Sequence, residues 1–482
     1  MITFSLNNIR RKIDRMPMAM MAIPFIVGIV VAYNFDVSSW IWCAIFCTCL
    51  ALSFLVDFAV IVAVFALGAM LFNVRSYSYL PQKVESEIIM KITDNGINYG
   101  RYSTFSADVL EYNGKRCRAR VRVTADSLTQ LRCGDRLTTI STIRPFGKEQ
   151  NSYVRSMHRQ GYSGRVSVNE HRIIWKESSS RINLHDLAVK KLQSLLPRSD
   201  GSDVAISLAL GAKLTNNSEI KRNYSLSGVS HLLAVSGLHV GIVSMLFSLL
   251  LLPLSLVWRG NSIRAWIILV LIWFYVALCG YPTSAIRAAI MFSTLQISHI
   301  VRSRYSQENS IFTAAFCMLA LKPTMLFEIS FTLSFVAVMA IIFISKPINS
   351  ANECKNPLLR ELMNGFMVSA ACVLATIPLI SNTFGIISTL SIFITPVVLI
   401  FTQIIIISSL LALVMPHAVA QAIFRAAEWC AEIQNIIIEK VVAVRIGYAE
   451  VRIEDSTMAI IYAVLVFLVI LNFGFKEIDD EK

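Results

Sequence analysis

Long apolar runs dominate this chain, and a run of about 18 or more residues with few charges has little choice but a lipid bilayer. The runs lie at about 16–33, 40–56, 58–72, 229–257, 265–280, 284–301, 310–321, 325–345, 361–380, 386–415 and 458–475. Some are short, and 386–415 contains Pro396, which predicts one kinked span or two half-spans. Hydrophobic residues make up 55% of the 482 and charged residues only 16%, against about 25% charged in ordinary soluble domains. That balance excludes a disordered chain and argues against a soluble enzyme. The expectation is a polytopic α-helical membrane protein of about eleven membrane segments.

The charges set the orientation. Arg10, Arg11, Lys12 and Arg15 precede the first run, which puts the N-terminus in the cytoplasm. A signal peptide also starts this way, but two further runs follow at once without a convincing cleavage site. Three spans then put 76–228 outside. Arg259, Arg264, Arg302, Arg304, Lys346, Lys355 and Arg360 all fall on the cytoplasmic side of the later loops by count. Five segments result: N-terminal helices over 1–75, a polar domain over 76–180, an amphipathic connector over 181–228, a second helical domain over 229–475, and a short tail over 476–482. The short tail leaves no expectation of a soluble C-terminal domain. Over 421–440, Arg425, Glu428, Glu432, Asn435 and Glu439 make one polar stripe at helical spacing, which predicts an interfacial helix or one packed on the bundle.

Within the polar domain, residues 101–176 alternate as strands do. Asn113-Gly114 is a hairpin turn signal. After it, Arg116, Arg118, Arg120 and Arg122 alternate with Cys117, Ala119, Val121 and Val123, so period two puts four guanidinium groups on one face. Four like charges in a row repel unless an anion neutralises them. The window holds fifteen basic residues against six acidic, a net of +9 within a chain of +13. Tyr102, Phe105, Tyr112, Phe146, Tyr153 and Tyr162 are available for stacking, as a single-stranded phosphate backbone would favour. The length and strand density fit a five-stranded Greek-key barrel, the OB-fold. Contact with anionic lipid headgroups is the competing reading of the basic face. Cys117 and Cys133 are the two cysteines of this domain. An oxidising outer compartment would allow a disulfide between them, the alternative being two thiols. Most other cysteines lie in apolar or amphipathic helices as small packing residues.

In the second helical domain, Ser230, Ala234, Gly237, Gly241, Ser244 and Ser248 form a stripe of small residues if 230–248 is one helix, with Gly237 and Gly241 a GxxxG pair. His231 and His239 lie off the stripe and cannot share a metal on a straight helix, so no metal site is expected. Ser236-Gly237 is also a place where the helix can break, and a broken helix at membrane depth lines a cavity. Each histidine either serves function or donates to a neighbouring helix. Ser236 beside His239 is a weak nucleophile signal, without a GxSxG elbow. Arg287 shares a face with Ser284, Met291, Thr294 and Ser298 that must look away from lipid. It serves phosphate in transit, a structural ion pair (with Glu328 as the candidate partner), or both.

The segment 230–241, SHLLAVSGLHVG, resembles the hallmark of the ComEC family of competence channels. PTSAIRAAIM at 282–291, FTLSF at 331–335 and ATIPL at 375–379 add to the likeness. The resemblance implies three N-terminal helices, an extracytoplasmic OB-fold and a multi-helix competence domain, in that order. It implies a channel for single-stranded DNA across the bacterial plasma (inner) membrane in natural transformation. Many relatives also carry a metallo-β-lactamase-like domain with an HxHxDH cluster. The seven histidines here are His158, His171, His185, His231, His239, His299 and His417, and no HxH occurs. The chain is therefore expected to be neither a nuclease nor another enzyme, and to need no cofactor. No GxxxxGK[ST] occurs either, so a helicase-type motor, a separate nuclease and a DNA receptor are the expected partners, with membrane lipids around the helices. The rivals are a permease for another polyanion or lipid and an intramembrane hydrolase using Ser236 or a His-bound metal.

Overall fold

The computed structural model describes residues 17–464, apart from 36, 54–57, 76–84, 95, 99–101, 127–130, 132, 147–153, 155–156, 158–159, 170–172, 178–183, 213–217, 258, 302–305, 346–355, 386, 445–447, 450 and 455. The chain forms two compact units, one of 20–182 with 316–329, the other of 1–19, 183–315 and 330–482. Outside the described residues lie the N-terminal basic cluster, Arg302, Arg304, Lys346, Lys355, Tyr153, the tail 476–482 and most of the run 458–475, of which 458–464 is helical.

Among the described residues, five helices are long and apolar enough to cross a membrane: Pro17–Asn34, Gly260–Leu278, Thr283–Val301, Met363–Thr383 and Ser391–Val414. Four more apolar helices are shorter: Ser39–Leu52, Phe58–Val74, Gly237–Leu250 and Ile329–Ile344.

In the first unit, helices α1 (Pro17–Asn34), α2 (Ser39–Leu52) and α3 (Phe58–Arg75) precede the strands. α1 and α3 meet through Gly28 and Gly68. A methyl on Gly28 would run into the Phe65 carbonyl, and one on Gly68 into that of Phe25, so only glycine allows this approach. Phe327, in the 3-10 turn Pro323–Phe327, stacks with Tyr33 at 4.8 Å and Phe72 at 6.0 Å.

Five longer strands build the polar domain: β1 (Glu85–Ile92), β3 (Tyr102–Tyr112), β4 (Lys115–Asp126), β5 (Arg136–Thr142) and β7 (Tyr162–Val168). The short β2 (Ile97–Asn98) pairs with β3, while β6 (Arg144–Pro145) and β8 (Ile173–Glu177) flank β7 and β5. The order is β6-β7-β4-β3-β1-β5-β8, antiparallel except that β4 and β7 run parallel. Ser141 on β5 donates to the Ser167 carbonyl on β7 at 2.8 Å, linking strands far apart in that order. Alternation buries Ile88, Met90 and Ile92 of β1 against Ala119, Val121 and Val123 of β4. Asn113 and Gly114 both take positive φ (49° and 73°), as the hairpin turn requires.

In the second unit, the connector is not peripheral. Its helix α5 (Asp200–Leu210), which follows α4 (Leu184–Gln193), is buried along its length after Asp200. It packs on α13 (Ser391–Val414) and α14 (His417–Ala443) in a core with Leu208, Val398, Ile405 and Phe424. The middle of the polar stripe of α14 faces this connector, while Arg425 and Glu439 at its ends are exposed. Glu428 accepts from Ser199, Glu432 lies against Gly201, and Asn435 accepts from Tyr224 at 2.9 Å in α6 (Ser218–Leu226). Of the two placements expected for this stripe, packing on the bundle is the one found. Pro396 does not split its run, because α13 is one helix of 24 residues. The run 361–380 extends into α12, Pro357–Phe384.

The run 229–257 is not one span. A 3-10 turn, Ser230–Leu232, gives way to a bend, and α7 covers only Gly237–Leu250 before a second 3-10 turn at Leu252–Leu256. The small residues from Ser230 to Ser248 therefore do not share one helical stripe. Helices α8 (Gly260–Leu278) and α9 (Thr283–Val301) pack beside α7.

Candidate nucleic-acid interface

Arg120 and Arg122 of the ladder lie on the outward face of β4, because Ala119, Val121 and Val123 take the inward face. Strand pairing sets Asp108 opposite Arg120 and Ser106 opposite Arg122. Arg120 lies 3.3 Å from Asp108 and its guanidinium sits 5.7 Å from the Tyr162 ring centre. Arg122 donates to Ser106 Oγ at 3.1 Å and Thr104 Oγ1 at 3.0 Å, with Asp94 at 3.8 Å. Asp94 also accepts from the Ser106 amide and hydroxyl at 2.9 and 2.8 Å.

The counter-charge expected from a bound anion is thus supplied in part by the fold. Arg120 and Arg122 are held in place, and Arg116 is exposed beside the hairpin turn. The side chain of Arg118 lies outside the described residues. The aromatics divide. Tyr102 is exposed and Tyr162 half-buried, but Phe105 and Phe146 are core residues, so stacking on those two is corrected. Tyr112 packs on the core. Asp94 and Asp108 were missed from the sequence. Thr104, Ser106 and Asp108 alternate on β3 as the ladder does on β4, which was a readable signal for Asp108. Asp94 sits in a loop and gave none.

Cys117 is half-buried against the core of the sheet, while Cys133 is exposed in the turn before β5. No disulfide joins the two in the structure.

In the second unit the helix break is organised by its own residues. Ser236 is the extended residue before α7, and His239 Nδ1 lies 2.8 Å from its hydroxyl and 3.2 Å from its amide nitrogen. This is a capping box with histidine in place of the usual Glu or Gln. His239 is fully buried, and its Nε2 has no hydrogen-bond partner among the described residues. His231 is exposed. Gly237 packs on Ala288 and Gly241 on Phe292, at distances where an added methyl would meet ordinary contact of 3.7 and 3.4 Å. The GxxxG pair is a contact with α9, but not a tight one.

From α9, Ser284 donates to the Val235 carbonyl inside the bend. One turn further, Arg287 is 2% exposed. It donates to the Ser330 carbonyl at 3.4 Å and lies 5.4 Å from the Phe335 ring centre. Glu328, the candidate partner for Arg287, is half-buried and accepts from Lys322 at 2.5 Å. The sequence expectation that the Arg287 face avoids lipid fits this burial. Thr294 on the same face bonds Ser310 at 2.5 Å.

Comparison with known proteins bears on the second unit most. No solved structure matches. ComE operon protein 3 of Bacillus subtilis (strain 168) is 30% identical over 164 residues, which is 34% of this chain and 21% of that protein. An uncharacterized protein of Aquifex aeolicus (strain VF5) is 28% identical over 254 residues, 51% of this chain and 57% of its own length. The chain thus spans about a fifth of one curated relative and just over half of the other. A family model described as Competence protein matches residues 208–476, from the end of α5 through the capped break, Arg287 and α14. That match covers more than half of the chain, including the segment where the helix breaks, and by it the chain belongs to the competence protein family.

Proposed function

We propose that this protein is the membrane channel that carries single-stranded DNA across the bacterial inner membrane in natural transformation. The observation that carries the reading is the capped break at 233–236, pinned by Ser284 and lying within one helical turn of the buried Arg287. Irregular backbone at membrane depth is tolerated where it is buried in protein or lines a wet path. An arginine with one 3.4 Å backbone acceptor can still attract a passing phosphate. The family description, Competence protein, agrees with this reading.

The β domain serves as the outer DNA contact. The parallel β4–β7 pair and the Ser141–Ser167 link are what a small, partly open Greek-key barrel needs, which supports the OB-fold. OB-folds bind oligonucleotides on the face of their second and third strands, and among the longer strands here those are β3 and β4, with the ladder on β4. About eleven segments, a cytoplasmic N-terminus and an extracytoplasmic β domain complete the proposal. In this reading the chain is no enzyme and holds no cofactor. Separate proteins supply the receptor, the motor and the nuclease.

The test is marker acquisition from added DNA in a strain lacking this chain. Transformants should fall at least about a hundredfold, recover with the wild-type gene, and stay low with Arg287→Leu at equal protein level. Unchanged marker acquisition in the deletion strain rejects the DNA channel and leaves a permease for another polyanion.

A further inference from the structure

Where α7 ends, α8 begins and α9 ends lies a cavity of about 830 Å³. Its walls are of two kinds. Arg259, Arg264 and His299 line it with Asn261 and Ser298, while Ile268 and Phe292 belong to its apolar wall. Arg264 donates one Nη to the Ser248 carbonyl at 2.7 Å, satisfying the last turn of α7. Its Nε–H is shielded from solvent and has no acceptor among the described residues. A buried guanidinium N–H left unmade is costly, and a cavity at that spot offers room for the missing acceptor. Around it, Leu249, Ile263 and Trp266 are exposed apolar residues, as befits a surface in contact with acyl chains. A polar, cationic lining next to an apolar wall, at the level where spanning helices end, matches the two halves of a phospholipid.

We propose that this cavity binds the phosphate headgroup of an anionic phospholipid, held by Arg264 and Arg259, with an acyl chain along the apolar wall. A free phosphate shares the headgroup chemistry but makes no use of Ile268 and Phe292. A DNA strand would need a continuous route to this place. The proposal does not depend on the transport reading, and both leaflets of a bacterial membrane offer such lipids.

The experiment is native mass spectrometry of the full chain released from mixed micelles holding phosphatidylglycerol and phosphatidylcholine. The wild type should retain phosphatidylglycerol preferentially. Arg264→Gln and Asn261→Glu should each cut that retention about fivefold, the effect of one charge near a headgroup. Asn261 is exposed, so Asn261→Glu keeps the test alive if Arg264→Gln fails to fold. Equal retention in Asn261→Glu overturns the proposal. So does displacement of the lipid by inorganic phosphate alone at millimolar concentration, which would assign a simple anion site. A photocrosslinker at Asn261→Cys should capture phosphatidylglycerol, and its capture of a short single-stranded oligonucleotide in the lipid's place would overturn the proposal in favour of a strand path. Unchanged marker acquisition in the deletion strain, with lipid retention by the purified chain intact, would count against the channel and leave this site standing.

Discussion

Arg122 is held by Thr104, Ser106 and Asp94 together, which makes it a structural residue whatever else it binds. Replacing it by Ala leaves those partners without their donor and should cost about 1–3 kcal/mol. Faster hydrogen exchange of the β3 and β4 amides in the full-length protein would report the loss. Arg116 is exposed, so Arg116→Ala should change stability by less than about 0.5 kcal/mol. It should still weaken single-stranded DNA binding and flatten its salt dependence by about one phosphate contact. If Arg116→Ala leaves the salt slope unchanged, the ladder is not the contact. At this scale the sequence was half legible. Period two and Asn113-Gly114 were enough to place the ladder on a hairpin, because both signals are local. The carboxylates of Asp94 and Asp108 reach the ladder only through strand pairing, which a linear reading does not supply. His239 was legible as a polar residue in an apolar run, but its use as a capping partner depends on the break that it helps to form.

Among the elements, α1 and α3 carry the sharpest steric condition. Gly28 and Gly68 each touch the other helix's backbone, whereas Gly237 has open contact with Ala288. Gly68→Val should therefore destabilise by about 1–3 kcal/mol, since backbone cannot move aside as a flexible side chain can. Gly237→Ala should be tolerated within about 1 kcal/mol. Heat-induced aggregation of the detergent-solubilised protein compares the two directly, and equal midpoints would refute the assignment. The sequence pointed to the wrong glycine pair because GxxxG describes spacing on one helix. Gly28 and Gly68 lie on different helices, and nothing local links them. The connector was legible as amphipathic, but not as core. An apolar stripe says that something covers it, without saying that α13 and α14 do.

At the level of the whole molecule, the orientation rests on basic loops and has a direct check. Lys115, by the hairpin turn, and Asn261, at the start of α8, are both exposed and by count face opposite sides of the membrane. In intact spheroplasts a membrane-impermeant maleimide should label Lys115→Cys above the native cysteine background and leave Asn261→Cys unlabelled until the cells are opened. The reverse pattern would invert the topology. The membrane class was readable from composition and run length alone. The boundaries of 229–257 were not, because hydropathy averages over a bend that four residues and one cap create.

The burial of α5 also has a consequence in time. Its neighbours α13 and α14 are made about 200 residues later; Ser199 waits for Glu428, 229 positions on. At about 5–20 residues per second, that is roughly 10–40 s of synthesis. Throughout that interval the nascent chain must carry an apolar helix covered only on the side that α4 and Tyr224 reach. The insertion machinery, or a chaperone, has to shelter the rest of α5 until the last quarter of the chain arrives.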